Sequence, residues 1–270
     1  MTHDLHMAQL ELDVSALMRD ARDHGWLIRQ PTSTGKKHRD WDDPGHLVHH
    51  KLAALFGDVA PKPFRILSAG EKQRGRWLQL LGYTALDASQ LRQRAEEFAL
   101  PTDQEACRLE TLRTKPMPDS LFQPERHLGF ELRACPVVRL NGTQTIQWED
   151  GPETFGPGAE LDAYFHRRYI HGDKDLDRQA VYLDWLHQRL ERAGGANITE
   201  GRLHAFRRVR IMRRKHRGDK RPTRVSERPD ALLKGTLKVT DGAAFRRLVT
   251  HGIGRHKGFG FGMLLLRPVT

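Results

Sequence analysis

Strand and helix signals follow nearly the same order in the two halves of this chain of 270 residues. In the first half, polar and apolar residues alternate as in half-buried strands, which predicts strands at 9–14, 64–67 and 77–81 and near 108–112. Apolar residues at helical spacing predict a helix opened by Pro44-Gly45 and ended by Gly57, and a second one over 88–98. The first half therefore reads as strand, helix, two strands, helix, strand.

The second half repeats this order. Strands are predicted at 128–134, 203–212 and 232–239, with a last apolar run at 263–266, and helices over 178–192 and after Asp241. Residues 141–172 contain several glycines and prolines, which interrupt helices and strands, and this predicts a long loop or insertion. A stretch without periodicity, 118–125, predicts a linker between domains 1–122 and 127–270. The fold class predicted is α+β, with two tandem ferredoxin-like domains, as in RNA-recognition domains, and antiparallel sheets with helices on one face.

Charge points to an anionic partner. Lysine and arginine number 45 against 34 acidic residues, which gives a net charge of +11 and favours nucleic acid or an anionic surface. A membrane partner is disfavoured, because no apolar stretch approaches the roughly 20 residues that span a bilayer. The first residues lack the layout of a signal peptide, so we expect a cytoplasmic protein. Two cysteines, Cys107 and Cys135, are too few for a disulfide framework or a zinc site.

A glycine-rich loop at 251–262 precedes the last predicted strand. Five glycines alternate there with basic and aromatic residues, and glycine lets backbone N–H groups approach an anion closely. The alternative is a plain glycine-rich hairpin or bulge before an edge strand. We predict a phosphate-binding loop made by Gly252, Gly254, Arg255, His256, Lys257, Gly258 and Gly260.

Twelve lysines and arginines lie between Arg202 and Arg228, and only Asp219 and Glu227 oppose them within that segment. Arginine presents a planar fork that suits phosphate oxygens. A solvated, mobile hairpin tip is the alternative. We predict phosphate contacts from Arg207, Arg208, Arg210, Arg213, Arg214, Lys215 and Arg217.

Three histidines, His46, His49 and His50, stand at positions i, i+3 and i+4 of the first predicted helix. Histidine titrates near neutrality and can move protons in RNA cleavage, in which the strand's own 2′-OH is the nucleophile. Two histidines at i and i+4 are also typical of metal ligands, but the sequence shows no third ligand nearby. Histidines that only decorate the helix surface are the other alternative.

These features together resemble the CasE family of CRISPR-associated endoribonucleases. The likeness rests on 233–241 (LKGTLKVTD), 252–264 (GIGRHKGFGFGML), 130–136 (FELRACP) and 185–190 (WLHQRL). It covers most of residues 127–270 and is patchier before them. A processing nuclease of a type IV CRISPR system, which shares this scaffold, is the divergent variant of the same interpretation.

The resemblance implies metal-independent cleavage beside a repeat hairpin, with no cofactor. The implied partners are the hairpin of CRISPR repeat RNA and other subunits of a CRISPR effector complex. The family pattern places a tyrosine three residues before its catalytic histidine, and counting back from Leu55-Phe56 puts His49 at the histidine position. His46 stands where the tyrosine would be, and His50 is the alternative one residue along.

Overall fold

A computed structural model describes residues 5–23, 44–67, 76–213 and 224–269. The chain divides into two compact units. The first consists of Met1–Pro118, Arg210–Ser226 and Lys257–Met263, and the second of Asp119–Val209, Glu227–His256 and Leu264–Thr270. Two stretches from the second half of the sequence thus cluster with the first unit. The division into domains 1–122 and 127–270 stays a prediction.

The first four-stranded sheet has the predicted order. Its strands are β1 (His6–Asp13), β2 (Phe64–Leu67), β3 (Trp77–Thr84) and β4 (Arg113–Pro116), and the helices of this part are α1 (Val14–Asp23), α2 (Gly45–Phe56), α3 (Ala88–Phe98) and α4 (Pro101–Gln104). The strands lie in the order β2-β3-β1-β4, and each neighbouring pair is antiparallel. Alternate residues of β1, namely Ala8, Leu10 and Leu12, are fully buried, which confirms the strand prediction.

Two details of the first half differ from the sequence-based expectations. Helix α1 was not predicted; it begins where the Asp13 carboxylate accepts the N–H groups of Ser15 and Ala16, an acidic cap that satisfies free helix donors. The strand predicted near 108–112 is wrong. Cys107 makes a single antiparallel bridge to Leu12 of β1, Leu109–Thr111 then form one short 3-10 turn, and continuous pairing with β1 begins at Arg113, opposite Gln9.

The second sheet repeats the arrangement. Its strands are β5 (His127–Ala134), β10 (Ala196–Arg213), β11 (Arg224–Val239) and β12 (Leu264–Pro268), in the order β10-β11-β5-β12. The long helices are α6 (Arg178–Ala193) and α7 (Gly242–His251). Asp177 and Asp241 cap them by accepting backbone N–H groups of their first turns. The predicted ferredoxin-like order is therefore confirmed in both halves.

The segment predicted as a loop at 141–172 contains regular structure instead. It holds an antiparallel hairpin, β7 (Gln144–Trp148) with β8 (Gly151–Phe155). Strand β9 (Glu160–Asp162) follows and pairs with β6 (Val137–Arg139). A short helix, α5 (Ala163–Phe165), then runs into a π-helical turn at His166–Ile170. The glycines and prolines that suggested a loop lie mainly in the turns between these elements.

Candidate active site and nucleic-acid interface

Helix α2 presents its histidines opposite a buried apolar face. Leu47, Val48, Leu52, Leu55 and Phe56 are all buried, as the spacing predicted. Lys51 is buried too, and its ammonium pairs with Asp20 and Asp103, which fixes the helix in its unit. His46, His49 and His50 are half-buried. The helix thus holds three imidazoles at the boundary between its core and the solvent.

A turn of the glycine-rich loop lies against the start of α2, within the first unit. Gly45 leaves room for the close approach, since a β-carbon there would stand 2.2 Å from the Phe259 carbonyl oxygen. The Phe259 ring stacks on His46 with centroids 5.9 Å apart and lies tilted beside His49 at 5.7 Å. A β-carbon on Gly258 would be 3.3 Å from His49 Nδ1. The backbone of this turn therefore packs directly on the histidine face.

Two lysines, Lys62 and Lys257, belong to the surroundings of the histidine face. Burial, and then the nearby positive charge of Lys62, lower the pKa of His49 below its ordinary value of 6.5. The same two causes, in the same order, lower the pKa of Lys257. Lys62 is therefore close to both groups. We call His49, Lys62, Lys257 and Phe259 the histidine–lysine site. Its imidazole is mainly neutral near pH 7, with Lys62 as the neighbouring positive charge.

Three glycines of the glycine-rich loop have the backbone conformation that glycine permits. Gly252, Gly254 and Gly260 have positive φ angles of 71°, 80° and 84°, as expected for conformations that favour glycine. A β-carbon at Gly254 would also stand 2.8 Å from the Trp185 ring. The loop therefore needs glycine for two reasons: the left-handed backbone at these positions and the close contact with Trp185.

The side chain of His256, one of the predicted phosphate contacts, does not face the solvent. Its side chain is fully buried, and its Nε2 lies 3.0 Å from Glu160 Oε2. Arg255 also pairs with Glu160 but keeps about two fifths of its side chain exposed. The Arg228 guanidinium lies 3.4 Å from the same carboxylate. The carboxylate of Glu160, on β9, thus anchors this end of the loop, so His256 has a structural position and Arg255 stays accessible.

The arginine segment is partly exposed and partly paired. Arg207 donates from Nε to the buried Asp230 at 2.8 Å, yet 64% of its side chain is exposed. Asp230 also accepts two hydrogen bonds from Arg133, at 2.8 and 3.0 Å. Arg208 pairs with Glu227 at 3.1 Å, and Arg210 is exposed. Arg213 ends β10, and Arg214, Lys215 and Arg217 lie outside the described residues.

Sequence reasoning missed Lys62, Phe259 and Glu160. Lys62 sits among prolines before β2 and carries no local signal, so only the folded chain reveals it. Phe259 belongs to the glycine-rich motif, and its alternation with glycines was the available hint. Glu160 is one of several acidic residues in the segment 141–172, predicted as a loop, and nothing in the sequence distinguishes it from solvated surface.

The cysteines have no role in this site. Both cysteines are buried, which raises their thiol pKa values and makes them unreactive. Across residues 5–23, 44–67, 76–213 and 224–269, no three histidine, cysteine or acidic side chains cluster as metal ligands. In those same ranges no helix has the length and apolar character to cross a membrane.

A family model described as CRISPR associated protein matches residues 6–268, nearly the whole chain. The chain belongs to this family. None of the curated proteins compared with this CRISPR-associated protein matches it.

Solved structures share its fold. A CRISPR endoribonuclease Cse3 bound to a 19-nucleotide RNA is 17% identical, with a TM-score of 0.60, over 98% of this chain and 100% of that one. Cse3 of Thermus thermophilus, bound to an RNA representing a pre-cleavage complex, is 18% identical with a TM-score of 0.55 and the same coverage. Cas6e of Escherichia coli K-12 is 16% identical with a TM-score of 0.51, again over 98% and 100%. At such identities the likeness establishes the fold, α+β with tandem ferredoxin-like domains.

Proposed function

We propose that this protein is the endoribonuclease that matures CRISPR RNA. It binds the hairpin of the repeat in the precursor, cleaves beside it without a metal ion and stays bound to the product. Membership of the CRISPR-associated family and the shared fold with RNA-bound Cse3 support this proposal. The observation that carries it is the histidine–lysine site, where the half-buried imidazole of His49 packs beside Phe259 and Gly258 and has a pKa lowered by burial and by the nearby Lys62.

These groups match the needs of RNA cleavage. His49, neutral near pH 7, accepts the proton of the 2′-OH as that oxygen attacks the adjacent phosphorus. The bond from phosphorus to the 5′-oxygen breaks, and the products are a 2′,3′-cyclic phosphate and a 5′-OH. The ammonium of Lys62 stabilises the charge on the phosphorane oxygens. Lys257, whose pKa is lowered by burial and by Lys62, is a stronger acid than an ordinary lysine and protonates the departing oxygen.

His46 has the secondary role. Its ring stacks on Phe259, with an angle of 22° between the planes, and so holds the turn that carries Lys257. His49, tilted against the same ring and lying beside Gly258, is our choice over His50 as the catalytic base. The exposed side chains of Arg207, Arg208, Arg210 and Arg255 supply contacts to the RNA backbone.

Cleavage of the organism's repeat RNA in excess EDTA tests the proposal. A single 2′-deoxy substitution upstream of the cut should stop cleavage and leave binding nearly unchanged. His49→Ala should slow single-turnover cleavage roughly 10²–10⁴-fold, the usual size of a general acid–base contribution, and His46→Ala should cost less. The matched control is His187→Ala, an exposed histidine on α6, which should cleave at the wild-type rate.

Two results would contradict this assignment. A deoxy substrate that is still cut requires an activated water as the nucleophile. Wild-type rates in His49→Ala, His50→Ala and the double variant would remove the catalytic role from α2.

A non-catalytic RNA-binding subunit of a CRISPR ribonucleoprotein complex is the second candidate. It is favoured by one observation, the histidine at 46 where the CasE pattern has tyrosine. A chain of a CRISPR RNA-guided surveillance complex shares the fold, at 17% identity and a TM-score of 0.51 over 98% of this chain and 100% of that one. Repeat RNA that is shifted on a gel but stays intact would select this candidate.

A further inference from the structure

The segment between β6 and α6 brings together several aromatic rings and guanidinium groups in the second unit. The Trp148 ring meets Phe165 edge-on at 5.2 Å and Tyr169 at 4.9 Å. Phe165 and Tyr169 are 5.9 Å apart. Arg168 lies over Tyr169 at 5.8 Å, and Arg208 lies over Phe165 at 5.2 Å. We call these five residues the aromatic–arginine cluster.

Parts of this cluster face solvent. Tyr169 exposes 41% of its surface, which makes it one of the few large apolar or aromatic residues so exposed in the described chain. Arg168 is exposed, and Arg208 keeps about half of its side chain accessible while it pairs with Glu227. Trp148 and Phe165 are half-buried beneath them. An accessible ring on a fixed aromatic base, flanked by cations, is a surface for a flat anionic ligand.

The backbone supports the same interpretation. Arg168 and Tyr169 lie in the π-helical turn His166–Ile170, and such turns are rare and concentrate at functional sites. Within the cluster, Phe165 also lies 5.7 Å from the guanidinium of Arg178, which contacts the neighbouring rings of Tyr164 and Phe206 at 4.0 and 4.2 Å. Arg178 is itself held by Asp162 at 3.2 Å. The aromatic–arginine cluster is therefore held in place before any ligand binds.

Chain continuity links the platform to RNA. Arg208 lies on β10, two residues before Arg210 in the arginine segment that we assign to the RNA backbone. Bases in a duplex hide their faces against each other, whereas unpaired bases expose them to aromatic and guanidinium planes. We infer that the aromatic–arginine cluster is a stacking site for unpaired bases of RNA flanking the repeat hairpin. The inference rests on the proposed function for the identity of the RNA, while the stacking chemistry is independent of cleavage.

Fluorescence anisotropy with two labelled probes, octa-adenylate RNA and an abasic octamer with the same backbone, tests this inference. Wild-type protein should bind octa-adenylate more tightly. Tyr169→Ala should weaken octa-adenylate binding about 5- to 150-fold, the range for losing one base–aromatic stack, and leave the abasic probe unaffected. Tyr169→Phe keeps the ring and should bind as the wild type does.

A matched control is available in the first unit. Phe98 is 49% exposed and also carries a guanidinium, that of Arg94, over its ring at 4.5 Å. Phe98→Ala should therefore leave octa-adenylate binding unchanged, which separates this site from any exposed aromatic residue.

Equal affinity for the two probes, or wild-type binding by Tyr169→Ala, would overturn the inference and leave the rings as a surface for a protein partner. Because these titrations contain no cleavable hairpin, their outcome does not depend on catalysis. Loss of cleavage with intact stacking would contradict only the proposed function.

Discussion

Gly45→Ala tests whether the contact between α2 and the glycine-rich turn is needed for activity. The new β-carbon would lie 2.2 Å from the Phe259 carbonyl oxygen, where ordinary contacts begin near 3.4 Å, so the turn must move by about 1.2 Å. That turn carries Lys257 and the ring against His49. A misplacement of about 1 Å in a catalytic arrangement costs on the order of 10²-fold in rate. We therefore expect single-turnover cleavage of repeat RNA to fall by roughly that factor.

The stability of the variant separates this effect from unfolding. Alanine is a better helix former than glycine by up to about 1 kcal/mol, so the propensity of α2 itself would rise. Circular dichroism should show an intact fold, while the NMR signals of the His49 ring should shift as Phe259 moves. The control Gly156→Ala adds a β-carbon with nothing within 4 Å and should cleave normally. Wild-type cleavage and unchanged His49 signals in Gly45→Ala would refute the contact as a catalytic requirement.

Three further predictions concern pH, salt and stability. The acidic limb of the cleavage rate should have its midpoint below pH 6.5, because the base must be neutral and the pKa of His49 is lowered. Lys62→Gln should raise that midpoint, because it removes the positive charge that disfavours protonated His49. An unmoved midpoint would contradict the influence of Lys62 on His49. Arg210→Ala should reduce the slope of log affinity for repeat RNA against log salt by about 0.7–0.9, the value of one phosphate contact, and an unchanged slope would mark this side chain as mere solvated surface. Asp230→Ala should lower the free energy of unfolding by about 3–5 kcal/mol in denaturant titrations, because it removes the carboxylate that accepts two hydrogen bonds from the buried Arg133 guanidinium. A loss below about 1 kcal/mol would show that the other contacts of Arg133 replace this one.

Most of the fold could be predicted from local pattern. The alternation of β1 and β5 and the helical spacing in α2, α3 and α6 each reflect one buried face. A buried face appears in the sequence as a regular spacing of apolar residues, so it can be predicted. Helix α1 and the start of β4 escaped prediction. An aspartate cap and the register of pairing with β1 decide them, and neither leaves a periodic signal.

The site divides in the same way. Residue order alone accounts for the basic charge, the histidine triplet on one helix, the glycine-rich loop and the resemblance that the family match confirmed. Tertiary structure alone decided that Lys62 stands near His49 and Lys257, that Glu160 takes His256 into the interior, and that Asp230 holds Arg207. These interactions join residues far apart in the sequence; the electrostatic one between Lys62 and Lys257 spans 195 positions. Burial and pairing energies depend on such neighbours in space, and the order of residues along the chain does not contain them.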